Sequence, residues 1–95
     1  MNWPKKIVVL GVEWRVVYHN NVDDVDPDSN ETSYGTTLFK KFEVHIWNAP
    51  NENYRMWILW HEILEIAKEY MGIKLSHPDL DRLAALISQI SRQVV

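Results

Sequence analysis

The sequence predicts an α+β domain: a small antiparallel sheet of three or four strands packed with two C-terminal helices. Three observations predict it. The first half alternates apolar and polar residues with a period of two, the second half carries apolar residues at helical spacing, and a stretch within the first half, Asn20 to Ser33, is rich in turn formers. With 95 residues the chain is one domain, 1–95, and its core is modest because small domains bury a smaller fraction of their surface.

Each element has a local cause. Ile7 to Leu10 is a short apolar run, Gly11 punctuates it, and "VEWRVVY" alternates Val12, Trp14, Val16 and Tyr18 against Glu13, Arg15 and Val17. Two strands joined at Gly11 is the economical reading. From Asn20 to Ser33 the chain reads "NNVDDVDPDSNETS", whose Asp, Asn, Ser and Pro favour turns over ladders, so a mobile acidic loop is expected at about 20–33. "YGTTLF" and "FEVHIW" flank Lys40 and Lys41 and carry the β-branched and aromatic residues of a second antiparallel pair. A helix from about Glu52 to Met71 follows, with Asn48 or Asn51 as cap and Gly72 placed to end it in a left-handed turn. On a wheel of about 100° per residue, Leu59, Tyr70, Ile63, Met56, Ala67, Trp60, Met71, Leu64 and Trp57 share one broad arc, the expected core face. His61, Glu62, Glu65 and Glu69 share the other arc with Ile58 and Ile66, which argue that this side is partly covered. Ser76 with Asp79 opens a second helix, with Leu80, Leu83, Ala84, Ile87, Ile90 and Val94 at helical spacing, packed on the sheet or on the first helix.

Composition limits the function. The formal charge is −3 and no run of Lys and Arg forms a stripe, so no nucleic-acid partner is expected. The absence of cysteine excludes disulfide and thiolate chemistry and leaves His, Asp and Glu to hold any metal. The apolar run Ile7 to Leu10 is too short for a signal-peptide core or a membrane span, so no membrane association and a cytoplasmic location are expected; the oligomeric state is left open.

Chemistry concentrates in "WHEILE", Trp60 to Glu65. His61 and Glu65 are four residues apart, which places both side chains on one helical face with their ends able to meet one ion, and zinc accepts a carboxylate oxygen beside imidazole. A catalytic site needs a third protein ligand, and His77 is the candidate. The seven residues from Glu65 to Gly72 rise roughly 10 Å, and the five residues from Gly72 to His77 can span about 17 Å, so the chain can double back far enough. Glu62 is then placed as the base that takes a proton from water activated by zinc. Other candidates are weaker. Asp24, Asp26 and Asp28 alternate as in a calcium loop, but Ser29 stands at the turn-glycine position and Gly35 at that of the final Glu. His45, in a strand, could face a substrate groove but more often such a histidine is structural; His19 reads as exposed, and Tyr54 and Tyr70 are given no role.

In the order of its elements the chain resembles the small phage-type zincin-like metallopeptidases: a "VxGxxWxV" strand pair, a variable loop, a glycine-led hairpin ending in "FEVHIW", a helix carrying His-Glu, and a last helix. The specific content of the resemblance is "WHEILE" plus "LSHPDLDRLAALISQ". The resemblance implies a minimal zincin-like fold, zinc as cofactor, a peptide or protein as substrate, and peptide hydrolysis by water activated on zinc. The chain departs from the usual pattern, in which two histidines share one helix: here Glu65 takes the second position and His77 follows, a His-Glu-x-x-Glu…His arrangement. A reading of a different class stays open beside it, a non-catalytic protein-interaction module on a degenerate zincin fold, phage-encoded.

Overall fold

The computed structural model describes residues 3–91. Strands β1 (Lys6–Val9), β2 (Val12–His19), β3 (Gly35–Leu38) and β4 (Glu43–Trp47) precede helices α1 (Glu52–Met71) and α2 (His77–Ser91). This is the expected α+β arrangement, with both helices C-terminal to the strands. The β1–β2 hairpin closes through Leu10 and Gly11, both at positive φ (50° and 80°), as a tight two-residue turn whose twist matches the strands requires.

The sheet differs from the expected all-antiparallel one. Its order is β1-β2-β4-β3, and β2 pairs with β4 in parallel while the two outer pairs are antiparallel. The long segment between β2 and β3 carries the chain past the position beside β2, so that β4, returning through the β3–β4 hairpin, fills it. β3 is therefore an edge strand. The acidic segment is anchored where it begins: it forms a 3-10 turn at Val22–Asp24 capped by Asn21, Val25 is buried, and Asn48 Nδ2 donates to Asn20 Oδ1 at 3.0 Å.

Trp14 and Val16 of β2 and Val44 and Ile46 of β4 cover one face of the sheet and meet Ile58, Leu59 and Ile66 of α1 in the core. The predicted helix wheel is corrected here. The buried residues of α1 are Ile58, Leu59, Glu62 and Ile66, three of them from the arc read as polar, whereas Tyr70 and Met71 are 42% and 59% exposed. The physical reason is that α1 lies between the sheet and α2, so most of its circumference is covered and an apolar count cannot single out the sheet-facing stripe. That stripe is 58-62-66, a strict i, i+4 ladder. α2 packs on α1 through Leu80, Ala84 and Ser88; Leu83 and Ile90 are exposed, and Val94 lies outside the described residues.

Both helices have the predicted caps. Asn51 Oδ1 accepts from Tyr54 N at 3.0 Å, and Gly72 at φ 65° ends α1 with its N–H on the Lys68 carbonyl. Ser76 Oγ accepts from Asp79 N at 3.2 Å at the start of α2. The left-handed Gly72 reverses the chain and sets α2 back against α1. Among the described residues, no helix is long and apolar enough to cross a membrane.

Candidate metal centre

The turn at Gly72 brings His77, the first residue of α2, beside the middle of α1. One nitrogen from each of His61 and His77 and one Glu65 oxygen all lie within 4.8 Å of one another, a group that could hold a metal ion. His61 Nε2 is 3.7 Å from Glu65 Oε1. Ligand bonds of about 2.0 to 2.2 Å at tetrahedral angles put ligand atoms roughly 3.3 to 3.6 Å apart. His61 and Glu65 are thus near ligating separation already. His77, with a side chain 69% exposed, is free to supply the remaining adjustment. The donor set of two imidazoles and one carboxylate suits zinc and leaves a fourth position open.

Asp81 organises this group, and the sequence reading missed it. Its Oδ1 is 2.6 Å from His61 Nδ1 and its Oδ2 is 3.4 Å from His77 Nε2, so one carboxylate touches both imidazoles. The short contact engages Nδ1 and leaves Nε2 on the Glu65 side. A carboxylate behind a ligating imidazole fixes its tautomer and raises its basicity. The signal was present: Asp81 follows His77 by four residues, the same spacing that singled out His61 and Glu65.

Glu62 stands next to this group yet belongs to the buried stripe of α1. It is 5% exposed, its Oε1 accepts from Thr37 Oγ1 at 3.0 Å, and its Oε2 lies 3.9 Å from His61 Nε2. Burial raises its pKa from an ordinary 4.5 to about 7; the Thr37 hydrogen bond opposes the rise, and the nearby Glu65 and Asp81 carboxylates add to it. β3 comes this close because Gly35 has no side chain: a Cβ there would meet Glu62 Oε2 and Ile58 Cγ2, each at 3.0 Å.

A cavity of about 460 Å³ opens beside His61 and His77, lined also by Glu31, Ser33 and Tyr34 from the segment before β3, Gly35 of β3, Tyr54, Trp57 and Ile58 of α1, and Glu62 and Asp81; Glu65 lies outside this lining. Tyr54, given no role from the sequence, is part of its wall. The other candidates lie elsewhere. His45 faces the helix-free side of the sheet, its Nε2 3.0 Å from Glu43 Oε1 and its Nδ1 2.7 Å from His19 Nε2, and lines no part of this cavity. His19 is half-buried rather than exposed. Tyr70 packs on Trp14 and Phe39. Asp24, Asp26 and Asp28 form no metal-capable group among the described residues.

The fold and the site together define an α+β domain with a three-residue metal-capable group at a helix–helix turn. No protein-family model matches the sequence, and no curated protein and no solved structure matches it.

Proposed function

We propose that the domain is a zinc-dependent peptidase of minimal zincin type, with His61, Glu65 and His77 as the zinc ligands and Glu62 as the general base. The observation that carries this reading is the pairing of a convergent two-histidine, one-carboxylate group with a buried carboxylate beside it, Glu62, which lines one cleft together with His61 and His77. Zinc bound there supplies Lewis-acid activation of water and of the scissile carbonyl. Glu62 provides what the ligands do not. Its burial raises its proton affinity, so it can take a proton at neutral pH and return it to the departing amine. Thr37 holds one carboxylate oxygen and leaves Oε2, on the His61 side, for that exchange. Asp81 keeps His61 turned with Nε2 toward the ligand position.

The test is elemental analysis of protein reconstituted with zinc and freed of excess, together with melting of His61→Ala in zinc. One zinc per chain, with a zinc-dependent rise in melting temperature that His61→Ala abolishes, is expected. Substoichiometric zinc together with unchanged melting of the variant in zinc rejects the assignment. A second reading, the non-catalytic interaction module, draws on exposed apolar side chains such as Val8, Leu10, Phe42 and Met71. Glu62→Gln separates the two, because it abolishes peptide turnover under the first and leaves partner binding intact under the second.

A further inference from the structure

We propose that the cleft beside His61 and His77 is built for a cationic side chain, lysine or arginine, of a peptide, held between the aromatic wall of Tyr34, Tyr54 and Trp57 and the carboxylate of Glu31. This specificity rests on the zinc-peptidase reading and deepens it. The three rings are contiguous: Tyr34 and Tyr54 centroids are 5.8 Å apart and those of Tyr54 and Trp57 are 5.4 Å apart. Aromatic faces attract an ammonium or guanidinium through their quadrupole while covering the alkyl stem that carries it. The cavity, at about 460 Å³, falls in the range that accepts such a group.

Charge selects the cation over a neutral stem. The lining contains the carboxylates Glu31, Glu62 and Asp81 and no lysine or arginine. Asp81 is engaged by both histidines, and Glu62 Oε1 by Thr37. Glu31 differs from both inner acids. Only its backbone N–H is engaged, on Ser29 Oγ at 3.1 Å, and its carboxylate forms no ion pair or hydrogen bond among the described residues. Two positive charges on zinc would be met by Glu65 and Asp81, so Glu31, which no cation of the described residues pairs, adds net negative charge to the cleft. An acidic side chain would meet repulsion there, and an apolar one would fill the wall without pairing Glu31.

The experiment uses zinc-loaded protein and calorimetric titration with four hydroxamates: acetohydroxamate and the Nα-acetylated hydroxamates of lysine, norleucine and glutamate. Zinc-dependent binding of acetohydroxamate reads the metal, and the other three read the wall. The lysine probe is expected to bind about five-fold more tightly than the norleucine probe, and the glutamate probe more weakly than either. Glu31→Gln is expected to remove the lysine-over-norleucine preference while acetohydroxamate binds parent and variant alike. Tyr34→Leu is expected to weaken the lysine probe. Acetohydroxamate that binds without any lysine preference, or a preference that survives Glu31→Gln, overturns the specificity and leaves the metal reading standing. Acetohydroxamate that shows no zinc-dependent binding overturns both.

Discussion

Replacing Glu62 with Gln in metal-free protein should stabilise the fold, and by an amount that depends on pH. Burial lifts the Glu62 carboxyl from 4.5 to about 7. In the folded protein it stays protonated up to about pH 7, whereas in the unfolded chain it ionises near 4.5. Between those values unfolding releases a proton, so the folded state loses stability as pH rises through that window and then levels off. At about 1.4 kcal/mol per pH unit the whole interval is worth roughly 3 kcal/mol. The group is almost fully buried, so solvent screening takes little from this ceiling. Glutamine has no proton to lose, keeps the shape, and can still accept from Thr37 Oγ1. Urea unfolding in a strong chelator at pH 4.5 and pH 8 measures the difference. The variant should lie within about 1 kcal/mol of the parent at pH 4.5 and exceed it by up to about 3 kcal/mol at pH 8. Groups common to both proteins, such as Glu43, whose carboxyl is held down first of all by the His45 hydrogen bond, cancel in that comparison. An advantage of equal size at both pH values, or a parent that is the more stable at pH 8, would refute the reasoning. Zinc should shrink the advantage, because a cation beside Glu62 favours its ionised form.

Asp81→Asn removes the charge that both histidines face, and a competition titration against a chromophoric chelator should report zinc affinity lowered about 10- to 100-fold, with metal-free melting little changed. Gly35→Ala drives a methyl group to 3.0 Å from Glu62 Oε2 and Ile58 Cγ2, so its urea midpoint should fall by the equivalent of about 1 to 3 kcal/mol. An alanine that raised stability there, as it does at open sites, would show that β3 and α1 are not in close contact. Asn51→Ala strips the α1 cap and should cost about 1 kcal/mol in the same assay.

What the sequence reveals about this protein divides by the range of the forces involved. Features with local causes were legible. The strand break at Gly11, the α1 bounds at Glu52 and Met71, and the Asn51, Gly72 and Ser76 caps all follow from residues within four positions of one another. The parallel β2–β4 pairing was not legible, because nothing near either strand records which neighbour a 15-residue connection will deliver. The stripe through Ile58, Glu62 and Ile66 was hidden for a related reason: α1 is covered from two sides, and hydrophobicity alone ranks a buried glutamate with the solvent face. The candidate site shows the same division at finer grain. His61 with Glu65, and His77 with Asp81, are each four residues apart, so each pair is set by helix geometry and can be read within its own helix. Whether the two pairs face one another depends on the angle at which the chain leaves α1. A left-handed residue at Gly72 settles that angle, and a side chain there would strain it. Convergence of the metal-capable group is therefore a property of one turn as much as of its ligands, and a substitution at Gly72, remote from any chemistry, would be felt at the site.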